Sequence, residues 1–270
     1  MAINIIDNST AADWIPEIWA QEAMRHLRAN MPVASRVNRD YDAEVAVSGD
    51  TINVPKPITL TAQNMPVTGT SNLTLDMVPI ALDKWKSATP VYIQDLARAQ
   101  SRPNIIANLT QAGAIALAYA VEADLLALYS GVSYNVGTFG QAVTAATIAS
   151  ADKKLFDNLT PADNQRYVVL SSKDWASVLG DTNVSNALNF GGAEAIRMGE
   201  IPSLYGLNIV RSQLVPTTVA TPTQTHNIAF HRDAFALVTR PLPAPLAGGA
   251  NVAVVTDSET GLAFRMTLGY

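Results

Sequence analysis

Two stretches between residues 48 and 94 place apolar side chains at alternate positions, which is the period of a β-strand. The first includes Ile52, Val54, Ile58 and Leu60, and the second runs from Leu73 through Leu75, Met77, Ile80, Leu82 and Trp85 to Val91. Residues 63–72 between them are mostly small and polar, which predicts a mobile tip. We therefore expect an extended hairpin with limbs of about a dozen residues, each roughly 40 Å long.

Prolines limit how this hairpin can pair with other strands. Pro55, Pro57 and Pro79 have no N–H to donate, and this confines both limbs to edge positions. An isolated two-stranded hairpin is only marginally stable in water, and the neighbouring sequence offers no obvious third strand. We therefore expect the hairpin to be supported by other molecules. The alternative is that later segments complete an ordinary sheet around it.

Two other segments have the period of an α-helix. Residues 10–30 carry one apolar stripe and end before Pro32, which indicates either an ordinary surface helix or an arm that docks on a neighbouring subunit. Residues 101–130 are rich in Ala, Leu and Ile over about 26 residues and end before Gly131, which predicts a long core helix. Its apolar run is interrupted by polar residues, so we expect no membrane span. These are Asn108, Gln111, Glu122 and Asp124.

The remaining sequence mixes both periods without a regular strand–helix repeat, which predicts an α+β lobe with a mixed sheet. Helices are expected at 147–159, at 173–179 after an N-cap at Ser171 or Ser172, and more weakly at 187–198. Strands are expected at 167–170, 207–211, 227–230 and 235–239, with a terminal hairpin formed by 252–256 and 262–268. Residues 216–227 are low in complexity and predict a loop.

Composition narrows the possible functions. Only 15% of the 270 residues are charged, against about 25% in an average soluble domain, so we expect other protein to cover much of the surface. The net charge of −5 argues against a basic nucleic-acid footprint. The absence of cysteine excludes disulfides, thiolate metal sites and cysteine nucleophiles. The N-terminal sequence has no basic region followed by an apolar core, so no secretory signal is expected.

The sequence contains few residues arranged for catalysis. It has no dinucleotide fingerprint, phosphate-binding loop or zinc-protease motif. His231, Asp233 and either Ser171 or Ser172 could be drawn as a hydrolase triad, but no Gly-x-Ser-x-Gly turn supports it. We therefore interpret His231 as a turn residue. We expect no enzymatic activity, and assign no catalytic, cofactor-binding or metal-binding residue.

The predicted elements follow one another in a characteristic order: an N-terminal helical arm, a long proline-bearing hairpin, an Ala-rich helix and an α+β lobe. Within the lobe, Ile201–Ser212 contains an Ile-Pro-x-Leu-Tyr-Gly run that enters a strand, and Asn227–Thr239 reads NIAFHRDAFALVT. The chain resembles the major capsid proteins of tailed bacteriophages, which have the Hong Kong 97-type fold, along nearly its whole length.

The resemblance implies an α+β fold with five parts. Residues 1–44 would be the N-arm and 45–93 the extended E-loop. Residues 94–149 would belong to the P-domain with its spine helix, 150–245 would form the A-domain, and 246–270 would be C-terminal strands that return to the P-domain. The hairpin contains Lys56, Lys84 and Lys86, but its tip has no lysine and nothing supports a covalent cross-link between subunits.

The resemblance also implies a function. Copies of the chain would assemble into hexamers and pentamers that close an icosahedral shell around double-stranded DNA, without sequence-specific binding. Such a protein is a virion component assembled in the host cytoplasm, without cofactor or membrane, and scaffolding, portal and cement proteins are further candidate partners. The alternatives are an encapsulin-like nanocompartment shell and, remotely, a serine hydrolase.

Exposed apolar residues are the best candidates for subunit contacts, because such groups need cover. Trp14 and Trp19 are the candidates in the arm. Ile52, Val54, Leu75 and Met77 are the candidates in the hairpin.

Overall fold

The computed structural model describes residues 31–41, 50–56, 58, 60, 62, 64–65, 75–91, 105–185, 201, 203–240, 250–256 and 263–269. Its helices are α1 (Ile105–Leu126), α2 (Ala145–Asp157), α3 (Ser172–Leu179) and α4 (Thr182–Ser185). Its strands are β1 (Thr51–Pro55), β2 (Met77–Ala81), β3 (Arg166–Leu170), β4 (Ser203–Leu204), β5 (Leu207–Arg211), β6 (Thr217–Thr218), β7 (Gln224–Thr225), β8 (Ile228–His231), β9 (Ala250–Thr256) and β10 (Ala263–Gly269). The predicted helices at 10–30 and 187–198 lie outside the described residues.

A four-stranded sheet in the order β4-β5-β3-β8 organises the lobe. Strand β3 pairs with β5 in parallel and with β8 antiparallel, so the sheet is mixed, as the sequence predicts. Because successive strand residues point to opposite faces, Val168 and Leu170 enter one core cluster and Val169 enters another. The sheet is therefore covered on both sides.

Helices α2 and α3 cover the first cluster. Ile148 on α2 and Trp175 and Val178 on α3 pack against Leu207 of the sheet. Both helices begin at capping residues: the Thr144 side chain accepts from the Thr147 N–H, and the Ser171 side chain accepts from the Asp174 N–H. Helix α2 starts earlier than its expected position because this cap precedes it.

The second cluster joins the sheet to α1. Val169 and Phe230 contact a group that includes Leu126 of α1 and Val33 from the segment before the hairpin. Further along α1, Ala114 and Ala118 are fully buried in a cluster that contains Met31 and Ala34. Small side chains allow this close approach of backbones.

Helix α1 confirms the long helix expected from the sequence. Its regular part ends at Leu126 and continues as a tighter turn over Ala127–Gly131. By length and composition Leu109–Gly131 could span a membrane. The buried alanines and the ion pair of Asp124 with Lys86, at 2.9 Å, instead mark it as a helix with one packed side.

Two expectations for the lobe were wrong. Residues 235–239 form no strand, because the 31–38 segment lies there: Ala236 makes a single parallel bridge with Asn38, and the Leu237 N–H donates to the Asn38 carbonyl at 3.0 Å. Residues 216–227 are not entirely loop, since β6 and β7 pair within them.

The predicted hairpin exists but is shorter than expected. Strands β1 and β2 are five residues each and form a separate two-stranded sheet. Beyond Ala81 the chain leaves the ladder and runs beside α1, where Ala88 approaches Gly113 and Lys86 meets Asp124. The second limb of the hairpin therefore packs against α1 after Ala81 and no longer forms strand pairs with the first limb. The terminal hairpin, β9 with β10, is confirmed.

Two polar contacts connect separate parts of the lobe. The Asp174 carboxylate is 3% exposed and accepts hydrogen bonds from the Ser171 hydroxyl at 2.8 Å and from the Asn227 side-chain NH₂ group at 2.7 Å. The side-chain oxygen of Asn227 in turn accepts from the Ser171 backbone N–H at 2.9 Å. Separately, the His231 Nε2 atom lies 3.1 Å from Asp163. Partial burial raises the pKa of Asp163, but hydrogen bonds from the Gln165 N–H and His231 outweigh this and lower it overall.

Replacing Asn227 with Ala should lower the free energy of unfolding by about 1–3 kcal/mol, because the Asp174 carboxylate and the Ser171 N–H lose a buried partner. Urea denaturation of the full chain measures the change. Asn208→Ala is the control: its amide also donates one hydrogen bond, to the Asn164 carbonyl at 2.7 Å, but on the exposed surface. Equal losses in both variants would contradict the buried network.

Replacing Asp163 with Asn should flatten the loss of stability in acid. Since the folded pKa of Asp163 is depressed, its contribution is present above the unfolded pKa and is lost as pH falls through the folded pKa. We expect the wild-type melting temperature to fall more steeply than that of the variant below about pH 5. Asp157→Asn, which removes an exposed partner of Lys153, should follow the wild-type curve.

Candidate interaction surface

The β1–β2 hairpin and the extended segment after it expose many large apolar side chains. Met65 is 86% exposed and Leu75 is 65% exposed. The other exposed members of this group are Ile58, Leu60, Met77, Val78, Trp85 and Val91. Exposure of many large apolar side chains in one segment is typical of a surface that another protein covers. We call these residues the hairpin surface.

The register of the hairpin divides the candidate contact residues between its two faces. Ile52 lies opposite Ile80 and Val54 opposite Val78, and directly opposite residues share a face. Met77 lies opposite Pro55, one position along, and therefore on the other face. The sequence alternation identifies residues that share a face within one strand, but it does not give the register between strands.

The candidate residues consequently differ in exposure. Leu75 and Met77 are exposed, whereas Val54 is half-buried and Ile52 is 7% exposed within its own chain. The reason for choosing Ile52, an exposed apolar group, therefore does not hold. Trp14 and Trp19 lie outside the described residues. The contact role of all six stays a prediction.

An ion pair lies at the end of the β1–β2 ladder that faces the connecting segment. Lys56 and Asp76 face each other across the two limbs, and the Lys56 N–H donates to the Asp76 backbone carbonyl at 3.0 Å. The hydrogen bond and the charge of Lys56 lower the pKa of Asp76. Both side chains are exposed, so the pair contributes little stability and mainly fixes the register.

A second group of exposed apolar residues, which the sequence reasoning missed, lies around the loop after α1. Tyr134 and Phe139 project from this glycine-rich loop, and Phe156 and Leu159 are exposed at the end of α2. The sequence does contain a signal for this surface, because aromatic residues occur there in a loop that has neither strand nor helix periodicity. We call these four residues the loop surface.

The loop itself is anchored by close packing. The His226 ring stacks on Tyr129 at 4.1 Å between centroids and meets the edge of Phe139 at 5.8 Å. Gly140 has a φ of 81°, and a Cβ atom there would lie 2.5 Å from Pro222, so this position requires glycine. A cavity of about 300 Å³ lies beneath, lined by both polar and apolar residues including Leu155 and Asp174.

The geometry excludes the hydrolase triad drawn from the sequence. His231 is paired with Arg166 at the start of β3, whereas Ser171 and Ser172 follow the end of that strand, roughly 16 Å away. The Ser171 hydroxyl donates to Asp174, and His231 faces Asp163. Among the described residues, no group of three His, Asp or Glu side chains is arranged to hold a metal ion.

Comparison with protein families matches residues 44–240 to a family described as phage capsid protein. The structure is similar to a solved chain from Mycobacterium phage Che8, with a TM-score of 0.63 and 24% identity over 87% of this chain and 83% of that chain. It is also similar to a chain from the asymmetric unit of the bacteriophage PhiM1 mature capsid, with a TM-score of 0.52 and 14% identity over 83% of this chain and 77% of that chain.

No curated protein matches the sequence. At these identities the structural likeness establishes the fold alone, which is an α+β capsid fold. The family match covers most of the chain and includes β1–β2, α1 and the four-stranded sheet. The chain therefore belongs to the phage capsid protein family.

Proposed function

We propose that this chain is the major capsid protein of a tailed bacteriophage, with the Hong Kong 97-type fold. In this proposal, hexamers and pentamers of the chain close an icosahedral shell around double-stranded DNA. The family match over residues 44–240 is the observation that carries it. Membership in a capsid family also points to a structural rather than a catalytic role, and to the virion shell as its location.

The expected division into parts suits the observed elements with one adjustment. We assign 1–44 to an N-arm, 45–93 to an E-loop and 246–270 to strands that return to the P-domain. A boundary between P-domain and A-domain at 149/150 would cut α2, which begins at Ala145 after its cap at Thr144. We therefore place that boundary before Thr144, so that the whole of α2 belongs to the A-domain with the four-stranded sheet.

The hairpin surface is the part that we assign to contacts between copies. A two-stranded hairpin is marginal in water without further support. On this hairpin Ile52 is buried and Val54 is half-buried, while Leu75 and Met77 remain exposed. A projecting element that fits a different surface on the next copy makes a head-to-tail contact, and such contacts close into rings.

The charge of the chain suits a container for DNA rather than a DNA-binding module. A net charge of −5 argues against a large basic surface of the kind that supplies most non-specific affinity for DNA. We propose that the shell encloses DNA without reading its sequence. Assembly in the host cytoplasm, and contacts with scaffolding, portal and cement proteins, are further parts of the proposal.

Replacing Leu75 and Met77 with Ser should weaken assembly without unfolding the subunit, because both side chains are exposed in the single chain. We expect the yield of shells to fall at least about tenfold, which corresponds to a loss of about 1.4 kcal/mol in the free energy of association. Negative-stain microscopy and size-exclusion chromatography measure the yield, and circular dichroism checks the fold. Val219→Ser is the control, since Val219 is 95% exposed but lies outside the hairpin.

The same assay separates the possible outcomes. Shells at wild-type yield from the Leu75 and Met77 double variant would contradict the contact role of the hairpin surface, while leaving the capsid proposal in place. A loss of yield in Val219→Ser as well would show that any exposed apolar change affects assembly, and would remove the support for this particular surface.

Infection by the phage that encodes this chain should produce particles that contain it. Cryo-electron microscopy of these particles should show both hexamers and pentamers of this protein. Nuclease treatment of intact particles should leave double-stranded DNA protected inside. Particles that hold protein cargo and no DNA would instead support a nanocompartment shell. Only monomers at high protein concentration would contradict a shell function of either kind.

A further inference from the structure

A buried carboxyl group lies where three parts of the chain meet. Glu122 on α1 is 1% exposed. Ser212, which directly follows β5 and is 6% exposed, donates its hydroxyl hydrogen bond to Glu122 Oε1. Val33 and Arg36 belong to the segment before the hairpin, which packs against α1 through Val33 and Ala34. Glu122 Oε2 is buried and has no hydrogen-bond partner among the described residues.

The surroundings of Glu122 are apolar. Leu126, one turn further along α1, packs with Val33 and Val37, while Ala118, one turn earlier, packs with Ala34. Packing on both sides of Glu122 along the helix is consistent with its exposure of 1%. An ionised carboxylate in such a place, with one oxygen unpaired, is strongly disfavoured.

The nearby cations are engaged elsewhere. The Arg36 guanidinium donates to the Pro32 carbonyl and lies over the Tyr167 ring, 6.0 Å from its centroid. The Arg211 guanidinium lies over Trp175, 5.1 Å from the ring centroid. Lys86 is paired with Asp124, the other acid on this part of α1. Within the described part of the chain, Glu122 therefore forms no ion pair.

The electrostatics agree with this geometry. Burial raises the pKa of Glu122 above its ordinary value of 4.5, and this effect exceeds the opposing influence of the Ser212 hydroxyl, the Val33 N–H and the Arg36 charge. Arg36 acts on Glu122 through its charge, while its Nη1 group donates to the Pro32 carbonyl and the Ser35 hydroxyl.

We propose that Glu122 is held as the neutral acid in the native subunit and acts as a proton-controlled latch between α1, residues 33–36 and the segment after β5. While Glu122 is neutral, the three parts pack together around it. When Glu122 loses its proton to solvent, an uncompensated negative charge remains inside the junction and weakens the packing. Ser212 is the positioning residue, because its hydroxyl bond attaches the sheet to the helix at this point.

The direction of the pH effect follows from linkage. Because the folded pKa is raised, the contribution of Glu122 to stability is fully present below its unfolded pKa and is lost as pH rises through the folded pKa. The junction is therefore tighter in mild acid than in mild alkali. This is opposite in sign to the effect of Asp163.

The first test compares Glu122→Gln with the wild type in the full chain, with both proteins in the same assembly state. Glutamine keeps the shape of the neutral acid but cannot ionise. We expect the variant to melt roughly 2–4 °C above the wild type at about pH 8, and the difference to shrink at about pH 5. Asp124→Asn is the matched control on the same helix and should not reproduce this pH dependence.

The proposal would be overturned by a Glu122→Gln variant that is less stable than the wild type at both pH values, or by a difference that does not change with pH. A parallel result in Asp124→Asn would also overturn it, because general charge on α1 would then explain the effect.

A second measurement does not depend on how well the variants fold. Infrared spectroscopy of protein with carbon-13-labelled glutamate should show the carbonyl stretch of a protonated, buried carboxylic acid at neutral pH, and this band should be missing from Glu122→Gln. In Ser212→Ala the band should persist to higher pH, because the hydroxyl bond that favours ionisation is gone. Absence of the band in the wild type, or an unchanged titration in Ser212→Ala, would contradict the latch.

Discussion

The fold depends on the need to cover both faces of strand β3. Its residues alternate between two core clusters, so neither face can be left to water without exposing Val169 or the pair Val168 and Leu170. Helices α2 and α3 cover one face. The other face is covered by the end of α1 together with residues 33–37, and this requirement connects the lobe to the long helix. At the start of the strand, the buried Arg166 side chain forms a salt bridge with Asp152 of α2 at 2.7 Å, which also attaches the helix to the sheet.

Within the described part of the chain, the hairpin has no equivalent constraint. There, strands β1 and β2 pair only with each other, and only Ile52 on them is buried. Its ion pair, Lys56 with Asp76, lies in solvent and contributes little. The lobe therefore has a core cluster on each face of its sheet, whereas the described strands of the hairpin bury only Ile52. This difference is the reason that we propose the hairpin for contacts between copies.

The sequence predicts those elements whose cause is local. The buried apolar run at 167–170, the cap at Ser171 and the helical period after residue 105 each depend on a few neighbouring side chains, and the structure confirms all three. The sequence fails where a distant segment decides the conformation. Residues 235–239 have a strand pattern but lie against Asn38, and residues 82–91 leave the hairpin because α1 offers contacts at Gly113 and Asp124. The period of a segment does not contain this information.

The candidate contact residues illustrate the same limit. Alternation correctly groups Ile52 with Val54 and Leu75 with Met77, but the two pairs face opposite ways because of a register that only the paired structure reveals. Glu122 could not be assigned from sequence either, since it interrupts an apolar stretch in the way that a surface residue of an amphipathic helix does. Its hydrogen-bond partner, Ser212, lies ninety positions away in the chain. A polar residue inside an apolar helical run therefore has two interpretations, solvent-facing or functional, and the tertiary partner decides between them.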